Sequence, residues 1–174
     1  MSPVYISVIS AAVAVISLLF NFLTLKFRRD LEKSAEIARL HQIWWSEEMR
    51  LTREEVIKFV NDWEKSDRQE TPIIRSYRTN EGYEAERHLI GRIAYFFSDL
   101  NAFIDEGLAS ESFAFRLFAR SQFYYFSEFL LAVSSVLEER LRLEVSSLPR
   151  KPRWISEVRA LDQKFQRIET RIAS

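Results

Sequence analysis

Cysteine is absent from this sequence of 174 residues, and histidine, glycine and proline are scarce, with 2, 3 and 4 occurrences. Without cysteine the chain has no disulfide, no thiolate zinc site and no thiol nucleophile. The glycines stand apart from one another, which excludes a glycine-rich phosphate loop. Neither histidine follows a glutamate by three residues, so the ligand pattern of ferritin-like di-iron bundles is missing. We therefore expect no catalytic residue, no metal and no cofactor.

An excess of charge of either sign is also lacking, because 25 basic and 25 acidic residues balance. A chain with no net charge lacks the excess of basic residues that is typical of nucleic-acid-binding proteins, and we expect no nucleic-acid partner. Leucine, alanine, glutamate and arginine are abundant in long stretches with few breakers, beside 14 Phe, 6 Tyr and 4 Trp. These stretches predict helices, and no alternating apolar run predicts a strand. The predicted fold class is all-α.

The longest apolar stretch runs from Val4 to Leu25, 22 residues without a charge, and Lys26, Arg28 and Arg29 close it. A helix of that length extends about 33 Å, which matches a hydrocarbon core of about 30 Å. A cleavable signal peptide fits less well, because no basic residue precedes the stretch and the run is too long. A buried helix of a soluble core is the other alternative, but such helices seldom stay uncharged beyond about 18 residues. The stretch therefore predicts a single membrane-spanning helix.

The basic residues around this stretch predict its orientation. Lysine and arginine are concentrated on its C-terminal side, and such an asymmetry favours the cytoplasmic face for that side. We expect the N-terminus outside and the large C-terminal part in the cytoplasm. The lack of cysteine agrees with that reducing compartment. The first predicted partner is therefore the lipid bilayer itself.

Small and polar side chains follow one another through the predicted span at spacings of 3, 4, 3, 4 and 3 residues. This heptad spacing puts them on one face of a helix, where a second helix can approach closely in a bilayer. Alternatively, their hydroxyl groups bond back to their own helix and signify nothing more. We favour a helix partner, and leave open whether it is another copy of the chain or a different membrane protein. The polar stripe consists of Ser7, Ser10, Ala14, Ser17, Asn21 and Thr24.

We divide the chain into a transmembrane helix over 1–27, a stalk helix over 28–45 and a cytoplasmic bundle of four antiparallel helices over 46–174. Ser46, followed by two glutamates, has the features of a helix N-cap, which leaves open whether the stalk helix breaks there. Turn-forming residues predict a loop over 66–80. The bundle helices, predicted from apolar spacing, cover about 47–65, 80–107, 110–144 and 154–172.

Two arginines, Arg116 and Arg120, lie four residues apart inside an aromatic run, so we expect their alkyl stems to be partly covered. A buried guanidinium without a partner is costly, which favours a structural ion pair with Asp99 or Asp105. The functional alternative is an anion, or a carboxylate of a partner protein, held bidentately.

A basic group, Arg150, Lys151 and Arg153, lies at the loop before the last predicted helix. If the chain reverses at Ser46, the helices alternate in direction and this loop returns to the membrane. Each basic residue then gains about 1 kcal/mol near anionic lipid. If the chain does not reverse, the loop lies at the far end and no lipid contact is expected.

A longer pattern of aromatic and small residues surrounds the turn at Gly107. The spacing of Trp44, Met49 and Arg53 precedes it and the helix over 154–165 follows it. The pattern itself consists of Phe96, Phe97, Leu100, Phe103, Ile104, Glu106, Gly107, Leu108, Glu111, Phe115, Arg116, Leu117 and Phe118. It resembles a bacterial family of uncharacterised membrane-anchored proteins, domain of unknown function family four-seven-six-zero, over most of 40–170. The resemblance implies an N-terminal anchor in the bacterial inner membrane and an all-helical cytoplasmic domain, and it carries over no catalytic residue.

Together these expectations favour a protein that is not an enzyme. The predicted function is that of a membrane-anchored accessory or scaffold subunit, which associates laterally through the polar stripe and binds a protein partner with its bundle. The first alternative is a self-associating sensor or effector of a bacterial stress or defence pathway. An enzyme is the third and least favoured, because no nucleophile or metal-ligand pattern was found.

Overall fold

The computed structural model describes residues 3–143 and 152–173, and their side chains except those of 3–15, 29, 30, 32, 34, 120 and 121. All regular secondary structure in these two ranges is helical, so the predicted all-α fold class is confirmed. The elements are α1 (Pro3–Trp45), α2 (Glu47–Lys65), α3 (Pro72–Thr79), α4 (Glu84–Asp105), α5 (Glu111–Ala114), a π-helical segment (Phe115–Phe123), α6 (Tyr124–Leu143) and α7 (Arg153–Ala173).

The long first helix ends at Trp45, and a single residue separates it from α2. Ser46 adopts an extended conformation, with φ −62° and ψ 152°. Its hydroxyl oxygen accepts a hydrogen bond from the backbone N–H of Met49 at 3.2 Å and donates one to the carbonyl of Ile43 at 2.8 Å. The serine thus caps α2 and interrupts the hydrogen-bonding ladder of α1. The helix breaks at this position.

Across the break at Ser46 the contacts of the chain shift along α4. Before it, the Trp44 ring lies 4.5 Å from the ring of Phe96 in α4. After it, Glu48 forms an ion pair with Arg92 of α4 at 2.8 Å. The chain therefore keeps advancing toward the N-terminal end of α4 across the break.

A short helix, α3, occupies the second half of the segment predicted as a loop, so that prediction is wrong there. Pro72 stands at the start of α3, where its missing N–H breaks no hydrogen bond. Asn80 was predicted to begin the following helix, over 80–107. It ends α3 instead, in a left-handed conformation with φ 60°, and its backbone N–H donates to the carbonyl of Ser76 at 2.9 Å. The buried side chains of Ile73 and Ile74 attach α3 to the core.

Neighbouring helices α4 and α7 run parallel, which corrects the prediction that all neighbours in the bundle are antiparallel. Near the start of α7, Glu157 accepts a hydrogen bond from Asn101 of α4. One to two turns later, Lys164 forms an ion pair with Asp105 at 2.6 Å. From the first of these contacts to the second, the residue numbers increase in both helices, so α4 and α7 run in the same direction.

The α6–α7 pair is antiparallel, as predicted. Glu138, near the end of α6, meets Arg159 in the first half of α7 at 3.1 Å. At the start of α6, the hydroxyl of Tyr124 donates to Glu169, near the end of α7, at 3.1 Å. The two helices therefore run in opposite directions along each other.

Aromatic side chains fill the centre of the bundle. Trp44 is 1% exposed, and its ring centroid lies 4.5–6.4 Å from those of four phenylalanines on α4, the π-helical segment and α6. The neighbouring Trp45 is 55% exposed. Of these two adjacent tryptophans, only Trp44 packs in the core. The four phenylalanines are Phe96, Phe97, Phe118 and Phe126.

Among the described residues, no helix is long and apolar enough to cross a membrane. The predicted span begins at Val4, and the side chains of its first residues lie outside the described part of the chain. The transmembrane helix therefore stays a prediction.

Candidate partner-binding groove

The structure describes the side chains of only the second half of the polar stripe, from Ser17 onward. Ser7, Ser10 and Ala14 lie outside the residues whose side chains are described. Ser17 and Asn21 are exposed. The hydroxyl of Thr24 donates to the carbonyl of Phe20 at 2.8 Å, four residues earlier on the same helix, and the stripe stays a prediction.

Arg116 is exposed and does not form the predicted structural ion pair. Asp105, one of its two expected partners, is instead paired with Lys164 at 2.6 Å. Across the described part of the chain, no carboxylate lies within ion-pair distance of Arg116. The side chain of Arg120 falls outside the described residues. The guanidinium of Arg116 is therefore available to a ligand or a partner.

Beside Arg116 a groove of about 730 Å³ separates the last part of α1 from α5 and the start of the π-helical segment. We name it the stalk groove. Its two long walls are helical faces, since the residues that α1 contributes recur at helical spacing. The lining residues are Lys33, Ile37, Ala38, His41, Gln42, Leu108, Ser110, Phe113, Arg116 and Leu117.

The stalk groove combines an apolar floor with a basic rim. Ile37, Phe113 and Leu117 supply apolar surface, and Phe113 is 36% exposed. Lys33 and Arg116 stand on opposite walls, and Lys33, like Arg116, has no ion-pair partner among the described residues. Every charged residue that the described lining contributes is basic. The groove is thus complementary to an amphipathic, acidic binding partner.

One wall of the groove belongs to the π-helical segment Phe115–Phe123. Helices of this type are rare in proteins, and those that do occur often lie at functional sites. Its wider turn buries Phe115 and Phe118 in the core, while Arg116 and Leu117 line the groove. No residue pattern used above predicts a π-helix, so the sequence indicated the arginine but not the groove.

A buried polar cluster links α4 and α7, and sequence reasoning missed it. The ammonium of Lys164, a residue 8% exposed, donates to the side-chain oxygens of Asn101 at 2.7 Å and Asp105 at 2.6 Å. The spacing did contain a signal, because Lys164 stands three residues after Leu161 and four before Ile168, on the buried face of α7. The ammonium of Lys164 binds oxygens of both Asn101 and Asp105 across the α4–α7 contact, so we assign the cluster a structural role.

Arg153, which belongs to the basic group predicted to touch lipid, lies at the end of the bundle opposite the stalk groove. Arg153 begins α7, where Pro152 and Trp154 adjoin Gly91 in the first half of α4. The stalk groove adjoins the opposite end of α4, a helix about 33 Å long. Arg153 therefore lies at the end of the bundle opposite the residues that line the stalk groove, and the lipid contact stays a prediction. Arg150 and Lys151 lie outside the described residues.

The fold and groove define an all-helical bundle that carries a basic, apolar groove beside its long first helix. The chain matches no known protein-family model, and no curated protein or solved structure matches it either. The resemblance to domain of unknown function family four-seven-six-zero therefore stays a prediction.

Proposed function

We propose that this protein is a membrane-anchored accessory or scaffold subunit of the bacterial inner membrane. Its N-terminal helix spans the bilayer once and associates laterally with a second membrane helix, either of another protein or of a further copy. Its cytoplasmic bundle binds a protein partner in the stalk groove. The basic rim and apolar floor of this groove are the observation that carries the proposal.

The groove suits an acidic amphipathic helix of the partner. Helices bind in apolar grooves through anchors that recur every three to four residues. Ile37, Phe113 and Leu117 offer surface for such anchors. Lys33 and Arg116 on the two walls are positioned for carboxylates on either side of the apolar face, and arginine binds carboxylates bidentately.

The anchor is supported by the uncharged stretch from Val4 to Leu25 and by the basic residues that follow it. In a continuous α1, Lys33 stands about 10 Å beyond Lys26 along the helix axis. The groove then opens near the cytoplasmic surface of the bilayer. A partner that binds there is itself an integral or membrane-associated protein.

Charge reversal of the groove tests this binding. We expect Lys33→Glu combined with Arg116→Glu to abolish co-purification of the partner from native membranes, because both changes turn attraction into repulsion. Arg75→Glu is the matched control, since Arg75 is 66% exposed and lies on α3, outside the groove. Binding should return when the partner's groove-facing acids are replaced by lysine. If the double variant loses bound anionic phospholipid and no protein, the groove is a lipid site and the proposed docking is wrong.

The polar stripe is tested separately. We expect Ser10→Leu, Ala14→Leu and Ser17→Leu together to disrupt lateral association in detergent, because bulky side chains keep helices apart. Val8→Leu with Val15→Leu, on the face expected to meet lipid, is the control and should change nothing. Loss of a foreign subunit supports the accessory role, whereas loss of self-association alone supports an oligomeric effector. Unchanged association in the triple variant contradicts the stripe.

A second candidate function is a self-associating sensor or effector of a bacterial stress or defence pathway. One observation favours it, a second cavity lined by three arginines at the end of the bundle far from the stalk groove. A sensor needs a ligand site apart from its association surface.

A further inference from the structure

A cavity of about 290 Å³ opens where the end of α1, the first half of α2 and the junction of the π-helical segment with α6 meet. We name it the junction pocket. Its described lining contains one charged residue, an arginine, and no acidic residue. The lining residues used below are Trp44, Trp45, Arg53, Gln122 and Tyr125.

The guanidinium of Arg53 is held in place by the end of α1. It donates a hydrogen bond from one terminal nitrogen to the backbone carbonyl of Trp44. Its central carbon lies 4.7 Å from the ring centroid of Trp44 and 5.1 Å from that of Trp45. The other nitrogens of the guanidinium have no acceptor among the described residues, so they are free to donate to a ligand. A group that is fixed in advance binds a ligand at a lower entropic cost.

The charge of Arg53 is not compensated. In the described part of the chain, no carboxylate lies within ion-pair distance of it, and the adjacent Glu54 is paired with Arg50. Burial, followed by the charge of Arg50, lowers the pKa of the Arg53 guanidinium, because no counter-charge offsets its desolvation. A half-buried guanidinium in this state favours an incoming carboxylate.

Two exposed aromatic side chains line the pocket beside Arg53. Trp45 is 55% exposed and Tyr125 is 39% exposed. Their two rings make no contact with each other, although they line the same cavity. Tryptophan, tyrosine and arginine are the residue types that contribute most binding energy at protein interfaces. Their meeting in one small pocket is typical of a surface that binds another protein.

The junction pocket continues the stalk groove on both walls. On α1, His41 lines the groove, and its ring lies 6.1 Å from the ring of Trp45, which lines the pocket. On the opposite wall, Leu117 lines the groove and Gln122 lines the pocket five residues later, the spacing of π-helical hydrogen bonds. Lys33 and Trp45 are about 18 Å apart along α1, the length of a helix of about 12 residues. One partner helix of ordinary length therefore covers both the groove and the pocket.

We propose that the acidic helix bound in the stalk groove extends over Trp45 and places one aspartate or glutamate side chain in the junction pocket. The carboxylate accepts hydrogen bonds from the free N–H groups of Arg53, and its stem lies between Trp45 and Tyr125. The volume of the pocket is below the usual range of small-molecule sites, about 300–1,000 Å³, which favours a single side chain over a free ligand. This inference rests on the proposed function and gives the same partner a second anchoring point.

A synthetic helix serves as the probe. It is a labelled peptide of about 20 residues with blocked ends, leucine on one face and glutamate elsewhere, so its helix of about 30 Å spans groove and pocket. Glutamate covers the whole polar face, and one carboxylate therefore reaches Arg53 in either direction of binding. The matched probe has glutamine in place of every glutamate. Fluorescence anisotropy with the full-length protein in detergent should show the glutamate peptide bound at least about tenfold more tightly.

Substitutions in the pocket then test the extension. We expect Arg53→Gln and Trp45→Ala each to weaken binding of the glutamate peptide at least about tenfold. Arg53→Gln should leave the weaker binding of the glutamine peptide unchanged, which a merely structural effect would not do. Arg50→Gln is the matched control, because Arg50 lies on the same helix and pairs with Glu47 and Glu54 outside the pocket. Trp45 is exposed, so its variant keeps the test valid if Arg53→Gln does not fold.

The outcomes separate this inference from the proposed function. Loss of binding both in Lys33→Glu with Arg116→Glu and in the two pocket variants supports the extension. If the charge reversal abolishes binding while Arg53→Gln and Trp45→Ala bind like wild type, the partner ends in the stalk groove and only the extension is wrong. If wild type binds the two peptides equally, the acidic partner itself is wrong, and the extension with it.

Discussion

Replacing Trp44 with alanine is expected to lower the free energy of unfolding by about 3–5 kcal/mol, the usual cost of removing a buried aromatic side chain. The indole is 1% exposed and lies among four phenylalanine rings, so its removal leaves a cavity between α1, α4 and α6. A loss of this size is a large part of the total stability of a domain, about 5–15 kcal/mol. Urea unfolding of the full chain in detergent, followed by circular dichroism, measures it.

The adjacent tryptophan provides the control. Trp45 is 55% exposed, and its one described cation–π contact is with Arg53, whose guanidinium carbon lies 5.1 Å from the ring. We expect Trp45→Ala to cost no more than about 1 kcal/mol, the strength of an exposed cation–π contact. Equal losses in the two variants would falsify the placement of Trp44 at the centre of the core.

The second large effect is expected at the buried cluster between α4 and α7. Lys164→Ala removes the ammonium that donates to Asn101 and Asp105, and leaves the buried Asn101 oxygen without this donor. Because Asp105 is 60% exposed and can be hydrated, we expect a loss of about 2–3 kcal/mol, below the full cost of breaking a buried ion pair. The same urea unfolding experiment measures it.

An exposed lysine separates the effect of burial from that of charge. Lys58 forms an ion pair with Glu55 at 2.7 Å, three residues earlier on the surface of α2. We expect Lys58→Ala to change the free energy of unfolding by less than about 1 kcal/mol, since exposed pairs contribute little. A similar small change for Lys164→Ala would mean that the cluster does not hold α4 and α7 together.

Helix positions were largely predictable because the signals for them are local. The cap at Ser46 and the cap at Ser110, whose hydroxyl accepts from the N–H of Phe113 at 3.2 Å, are visible as a serine followed by glutamate. The exception is α3, where Thr71 and Pro72 were interpreted as a turn. Proline is equally common at the first position of a helix, so the dipeptide alone did not distinguish the two.

The candidate sites were less predictable, because each joins segments far apart in the chain. Arg116 was identified from its surroundings in the sequence, but its groove requires α1 to lie beside the π-helical segment. Arg53 was not identified as a site residue, because it resembles an ordinary surface arginine until folding brings Tyr125 of α6 into the same pocket. Its role depends on packing and not on neighbouring residues.

Composition and periodicity were sufficient to predict that the regular secondary structure of the described residues is helical, since helix formation and capping depend on residues within one or two turns. The direction of the helices, the burial of Lys164 and the two cavities emerged only in the folded bundle. Which charges pair and which remain available depends on distances between residues as far apart as Asp105 and Lys164, and those distances exist only once the helices have packed.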